Sequence, residues 1–170
     1  MNKQEIEKYL GMVGLELQKQ GKTLEILLLG GAVMLIEVGN RGDTDDVDTY
    51  HLPDYVAVTK AAVVVAEREG LDDGWLNSAA AGFTYFFIRQ PDRKLWKKFP
   101  GLHVYTASLE YIFVSKFLAH RDKDEEDVTA LADRLHLSKQ KDVLALLEKY
   151  VPKDAIPRDV LDEIEERFEP

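Results

Sequence analysis

A short apolar run that ends in two glycines constrains this chain more than any other feature of its sequence. Residues 24–29 (LEILLL) contain one charge, and Gly30 and Gly31 follow them directly. Six residues is a common length for a buried strand. Because glycine has no Cβ, it suits a turn at which the backbone comes close to a phosphate. We therefore predict a strand, a glycine turn and a short helix over residues 32–38 whose N-terminal amides face an anion.

Two aspartates stand one residue apart in the next segment, Asp46-Val47-Asp48. In an extended chain, side chains two residues apart leave the same face of the sheet. Two carboxylates on one face repel each other unless a cation lies between them, and their hard oxygen atoms suit Mg²⁺. The sequence therefore predicts a metal site at Asp46 and Asp48.

Both features also have structural interpretations. A Gly-Gly pair can be a plain turn, and two aspartates in an acidic stretch are more often part of a solvated surface. Their order along the chain, with a strand, a glycine turn, a helix and then an acidic strand, favours a functional role for the two together.

The glycine turn followed by the D-x-D pair resembles the signature of the nucleotidyltransferase superfamily, which has the polymerase-beta-like fold. The resemblance implies that Gly30 and Gly31 hold the triphosphate of a nucleotide. It also implies that Asp46 and Asp48 are catalytic and bind Mg²⁺. The expected substrate is a nucleoside triphosphate (NTP).

Two further motifs extend the resemblance. Arg41 and Thr44 stand in the spacing R-x-x-T-x-D-x-D, which is similar to the form found in abortive-infection (AbiEii-like) nucleotidyltransferases, so both are expected to bind nucleotide. Trp75-Leu76-Asn77 is part of a motif order that resembles a bacterial family of uncharacterised nucleotidyltransferase-like proteins. From the residues alone, Trp75 and Leu76 are core and Asn77 is a helix cap or a turn residue.

A last motif, K-x4-R-x2-D-x2-D, consists of Lys116, Arg121, Asp124 and Asp127. It resembles the later lysine and R…KD…D motif of AbiEii-like enzymes. The resemblance implies a catalytic, nucleotide-binding Lys116, a nucleotide-binding Arg121, a metal ligand at Asp124 and a catalytic Asp127.

The residues of this last motif leave alternatives open. An ammonium among apolar neighbours, as at Lys116, either points at an anion or packs its stem while its head reaches water. Asp124 and Asp127 lie one turn apart on a helix. They are either a solvated helix face or acids that the helix dipole favours.

Strand and helix patterns alternate before residue 108, and only helices follow. Strands are predicted at 24–29, 46–48, 83–88 and 102–106, and helices at 3–20 and 56–69. Pro53 suits the first turn of the second helix, and Gly70 ends it. The basic stretch before Pro100-Gly101 is predicted to be a loop. The chain after residue 108 is predicted to be helical. A first helical segment begins at Ser108 and has a charged break at 121–127, and two more helices follow at 138–150 and 158–168.

These elements predict an α+β fold of the nucleotidyltransferase type, with a small mixed sheet flanked by helices. We expect an α/β core over residues 1–107 and a C-terminal helical region over residues 108–170 that packs on it. With 170 residues and 45% hydrophobic content, the chain is long and apolar enough for one such domain and its helical appendage.

Composition limits the classes of function. The chain has no cysteine, which excludes disulfides, thiolate metal sites and a catalytic thiol. No apolar run approaches the roughly 20 residues of a membrane span, and the charged N-terminal segment does not resemble a signal peptide. We therefore expect a cytoplasmic protein without a membrane partner.

Charge bears on nucleic-acid binding. The formal net charge of −9 opposes indiscriminate binding to nucleic acid. One segment is locally basic and is either a solvated loop or a patch for nucleic acid: Arg89, Arg93, Lys94, Lys97 and Lys98.

Two functions remain open. The first is transfer of a nucleoside monophosphate from a Mg²⁺-bound NTP to a hydroxyl on an RNA end or a protein side chain, with a toxin–antitoxin role as one option. The second is a catalytically inactive binding or antitoxin-like protein on the same fold. Many active nucleotidyltransferases carry a third carboxylate on a later central strand, and the candidate strand here, FTYFFI, has none. Either Asp124 or Asp127 replaces it, or the nucleotide is bound without being turned over.

Overall fold

A computed structural model describes residues 1–50, 54–79 and 91–170, and these form two compact units. The first unit comprises residues 1–50, 54–79 and 93–107, and the second comprises residues 91–92 and 108–170. The division into a core over residues 1–107 and a helical region over residues 108–170 that packs on it stays a prediction.

A five-stranded mixed sheet forms the centre of the first unit. Its strands are β1 (Leu24–Leu28), β2 (Val47–Tyr50), β3 (Leu76–Asn77), β4 (Arg93–Phe99) and β5 (Leu102–Ala107), in the spatial order β3-β2-β1-β5-β4. Strand β1 is antiparallel to β2 and parallel to β5, β3 is parallel to β2, and β4 is antiparallel to β5. The apolar run that the sequence singled out is therefore the central strand.

Three helices of the described residues accompany this sheet. They are α1 (Lys3–Lys19), α2 (Gly30–Val33) and α3 (Tyr55–Glu69), and a π-helical turn (Met34–Val38) continues α2. Asn2 and Glu5 form a capping box at the start of α1, which satisfies amides that have no partner within the helix. Helix α1 packs against α3 and against β5, so its apolar stripe covers one face of the sheet.

Four helices lie in the described part of the second unit. They are α4 (Leu109–Ala119), α5 (Glu125–Leu135), α6 (Gln140–Tyr150) and α7 (Arg158–Arg167), with short 3-10 turns at Asp122–Asp124 and Lys153–Ala155. Phe113 and Phe117, one turn apart on α4, stack with their ring centres 5.3 Å apart. Their burial, together with that of apolar residues from the other three helices, gives this unit its own core.

The structure confirms the predicted α+β fold with a small mixed sheet and a C-terminal helical region. It also confirms most element positions, with ends shifted by one or two residues. The helix predicted over 32–38 begins at Gly30 and changes to a π-helical turn at Met34. The strand predicted over 83–88, Arg89 and Pro53 lie outside the described residues.

One prediction was wrong: the basic stretch is not a loop. Residues 93–99 form β4, which pairs with β5 with a bulge between Leu95 and Lys97. Three of its cations have acidic partners within the first unit, since Arg93 contacts Glu25 at 2.9 Å, Lys94 contacts Glu37 at 3.0 Å, and Lys97 contacts Glu7. Pairing with β5 makes this segment a strand, and the sequence pattern did not reveal that pairing.

None of the helices in the described part of the chain is long and apolar enough to cross a membrane.

Candidate functional site

The end of β1 brings the glycine turn next to the acidic strand. Leu28 pairs with Thr49 across the antiparallel β1–β2 ladder, and the Leu29 amide donates a hydrogen bond to the Asp48 carbonyl at 2.9 Å. The next residue in the chain is Gly30. The register of two central strands, rather than the loop between them, therefore sets the distance between the turn and Asp48.

Glycine at the two turn positions leaves room for a close approach of neighbouring side chains. Gly30 has a φ of 54°, and a Cβ there would lie 2.6 Å from Asp48 Oδ2, closer than atoms that do not bond can approach. A Cβ at Gly31 would lie 2.6 Å from Thr44 Oγ1 and 3.5 Å from Arg41 Nη1. The absence of two methyl groups thus lets the backbone approach a carboxylate, a hydroxyl and a guanidinium.

The two aspartates share one side of the chain. Val47 and Thr49 are fully buried, whereas Asp46 and Asp48 are half-buried. Because side chains alternate along a strand, this burial pattern places both carboxylates on the face opposite Val47. Asp46 lies directly before β2 and Asp48 lies within it. Thr44 also contacts this segment, since its hydroxyl donates to the Asp46 carbonyl at 3.1 Å.

Sequence reasoning missed one residue of this site, Asn77. Its Nδ2 donates to Asp46 Oδ2 at 2.8 Å, and its Oδ1 accepts from the Ala79 amide at 2.7 Å. The prediction of Asn77 as a helix cap or a turn residue was wrong, because Asn77 lies in β3 and its side chain is a partner of the acidic pair. The W-L-N motif was the available signal, but its contact with Asp46 depends on β3 lying next to β2.

The donor set fits Mg²⁺. The half-buried carboxylates of Asp46 and Asp48 supply hard oxygen atoms beside a turn where a Cβ would close the space. Among the described residues, no group of three or more His, Cys, Asp or Glu could enclose a metal ion. Mg²⁺ usually binds through one or two carboxylates and completes its shell with water and substrate phosphates, so two aspartates suffice.

The second unit holds a separate cluster of charges. The Lys116 ammonium lies 2.5 Å from Asp124 Oδ1 and 2.8 Å from Asp127 Oδ2. All three side chains are buried, with Asp127 only 1% exposed. Lys116 therefore points at anions, and the interpretation of a lysine head in water is wrong. The interpretation of Asp124 and Asp127 as a solvated helix face is wrong for the same reason.

Arg121 lies at the end of this cluster, on the exposed link between α4 and the 3-10 turn. Lys116 and Arg121 line one side of a small cleft of about 60 Å³ that also contains His120 and Glu163. The His120 Nδ1 lies 2.7 Å from Glu163 Oε2. Each cluster is thus organised within its own unit, one around a glycine turn and the other around a buried lysine.

Comparison with known proteins adds family membership to this geometry. The profile of one family, described as "Nucleotidyltransferase of unknown function (DUF6036)", matches residues 12–163. No curated protein and no solved structure matches the chain. The matched stretch covers most of the 170 residues and contains both clusters. The chain therefore belongs to this family of nucleotidyltransferases of unknown function.

Proposed function

We propose that this protein transfers a nucleoside monophosphate from a Mg²⁺-bound NTP to a hydroxyl group on an RNA end or a protein side chain. The observation that carries the proposal is the close approach of Gly30 to the Asp48 carboxylate. It puts a backbone able to hold phosphates beside oxygen atoms able to hold the metal that accompanies them. Membership of a nucleotidyltransferase family supports the same class of reaction.

Positioning and charge neutralisation account for most of the catalysis in such a transfer. The amides of Gly30 and Gly31 bind the triphosphate, and Arg41 and Thr44, which lie beside Gly31, orient it. Asp46 and Asp48 are the residues that would hold Mg²⁺. When bound, the ion neutralises charge on the phosphate oxygens.

The reaction balances as a substitution at the α-phosphorus. The acceptor hydroxyl forms a new P–O bond there and loses its proton to solvent, while the bond between the α-phosphorus and the bridging oxygen breaks and pyrophosphate leaves. The turn and the acidic pair keep the triphosphate in place for an in-line attack.

The spacing R-x-x-T-x-D-x-D supports a relation to AbiEii-like enzymes, and with it a role for this protein as part of a toxin–antitoxin pair. Catalytic roles for Lys116 and Asp127, nucleotide binding by Arg121 and metal binding by Asp124 stay predictions. Their ion pairs support a structural contribution whatever the outcome.

Incubation with each labelled NTP, Mg²⁺ and either total RNA or cell lysate tests the proposal. The wild-type protein should transfer label to a macromolecule, and Asp48→Ala should not. Asp45→Ala is the matched control, since it removes the same charge from an exposed side chain in the same segment. Label transfer that persists at full rate in Asp48→Ala would refute the proposal.

The acidic pair itself also favours a second candidate, a protein that binds nucleotide without turning it over. In the described part of the chain no third acid joins Asp46 and Asp48 in a metal-binding group, and an amide contacts Asp46 instead. Calorimetry with Mg²⁺ and each NTP separates the two candidates. Binding without incorporation into any acceptor supports the second, and incorporation supports the first.

A further inference from the structure

The carboxamide of Asn77 is held by three hydrogen bonds. Its Nδ2 donates to Asp46 Oδ2 at 2.8 Å and to the Gly74 carbonyl at 3.1 Å, while its Oδ1 accepts from the Ala79 amide at 2.7 Å. Two donors and one acceptor in use fix the plane of the group. A side chain bound in this way imposes its orientation on its partner.

The backbone of Asn77 is fixed as well. In the parallel β2–β3 pair Asn77 lies opposite Asp48, and the Thr49 hydroxyl donates to the Asn77 carbonyl at 2.9 Å. Paired residues of adjacent strands direct their side chains to the same face. Asn77 therefore shares a face with the acidic pair and reaches diagonally to Asp46, two residues before its own partner.

We propose that Asn77 is a positioning residue that orients the Asp46 carboxylate for the metal of the nucleotide site. The bond to Oδ2 restricts rotation of the carboxylate and leaves Oδ1 as the oxygen atom that would bind the metal. This inference rests on the proposed function, and it adds a residue from a third strand to the turn and the acidic pair.

An amide suits this role better than a charged group. A carboxylate at position 77 would repel Asp46 and could not donate a hydrogen bond at neutral pH. An ammonium would compete with the metal for the same oxygen atoms. A neutral donor orients the ligand and leaves its charge for the cation, which is what outer partners of metal ligands generally do.

Binding of Mn²⁺, followed as loss of the free-ion signal in electron paramagnetic resonance, tests the inference without relying on transfer. Asn77→Ala should weaken Mn²⁺ binding by about 10- to 100-fold, the usual cost of losing such a partner. Asn77→Asp, which keeps the shape and the acceptor for the Ala79 amide, should also weaken it. Asp72→Ala is the matched control, because it removes a comparable bond to the Gly74 amide without touching Asp46.

A double variant separates positioning from general damage to the fold. In an Asp46→Asn background, adding Asn77→Ala should change Mn²⁺ affinity little, since the carboxylate to be positioned is gone. An equal loss in both backgrounds would overturn the inference. So would tighter binding by Asn77→Asp, which would make residue 77 a direct ligand, or unchanged binding in Asn77→Ala.

Failure of the proposed function gives a different result. If wild-type protein binds Mn²⁺ and the variants weaken it as expected, but no acceptor receives label, the inference stands and the transfer reaction does not. If label is transferred while all variants bind Mn²⁺ equally, the reaction stands and Asn77 has no positioning role.

Discussion

The two aspartate pairs of this protein show opposite solutions to the same electrostatic problem. Asp124 and Asp127 are buried and lie within 2.8 Å of the Lys116 ammonium, so the chain supplies their cation. Asp46 and Asp48 are half-buried beside a glycine turn, and the Asp46 carboxylate accepts a hydrogen bond from the neutral Asn77 amide. Removing the cation of the first pair should harm folding, whereas the second pair is the one for which we propose a cation from outside the chain.

The largest expected effect concerns activity at the pair of Asp46 and Asp48. Asp48→Ala should lower nucleotide transfer by more than about 100-fold, because mutation of a residue that only contacts a metal ligand already lowers activity by about 10- to 100-fold. The free energy of unfolding should change little compared with this loss of activity. Initial rates and urea denaturation measure the two, with Asp45→Ala as the control. A large loss of stability would remove the distinction between the pairs.

The pair of Asp124 and Asp127 should respond in the opposite way, with a loss of stability. Lys116→Met leaves two buried carboxylates without their cation, so it should lower the free energy of unfolding by about 3–5 kcal/mol. The triple variant Lys116→Met, Asp124→Asn, Asp127→Asn should recover much of this loss, because no net charge remains buried. Urea denaturation of the purified proteins measures both. A fully stable Lys116→Met protein would show that the cluster is not a structural ion pair.

A substitution in the turn tests whether the function of Asp46 and Asp48 depends on the close approach of the Gly30 backbone. Gly30→Ala should cost about 1–2 kcal/mol of stability, because an L-residue is placed at a positive φ. Its Cβ should also displace Asp48, and a misplacement of about 1 Å can cost roughly 100-fold in rate. Gly39→Ala is the control: it has a φ of 76° and nothing within 4 Å. Equal loss of transfer in both variants would contradict this explanation.

The smallest expected effect concerns Glu25, a carboxylate that pairs with a cation of the chain but is more exposed than Asp124 and Asp127. Partial burial raises the pKa of Glu25, but hydrogen bonds from Tyr105 and Arg93 outweigh it, and the pKa ends below its ordinary value. Its contribution to stability is therefore present above the unfolded pKa of about 4.3 and is lost as the pH falls through the lower folded pKa.

Glu25→Gln should accordingly be less stable than wild type by only a few tenths of a kcal/mol at pH 7, because the pair is largely exposed. The difference should shrink as the pH falls below about 4. Thermal unfolding at several pH values measures it. A difference that grows toward low pH would give the wrong sign for this explanation.

Much of the fold was predictable because its signals are local. The run 24–29, the helix that Gly70 ends with a φ of 70°, and the amphipathic helices after residue 108 follow from periodicity and from glycine chemistry. The basic stretch 93–99 was not predictable as a strand. Its lysines and arginine carry no strand pattern, and their partners Glu7, Glu25 and Glu37 come from three distant elements.

The sequence by itself determined which chemistry is present: two glycines after an apolar strand, two acids one residue apart, and a lysine spaced from later acids. Tertiary structure alone decided what each group faces. The β1–β2 register puts Gly30 against Asp48, the β2–β3 pairing brings Asn77 to Asp46, and burial joins Lys116 to its aspartates. The reason is physical: spacing along one chain fixes the face of an element, but pairing with another element fixes its neighbours.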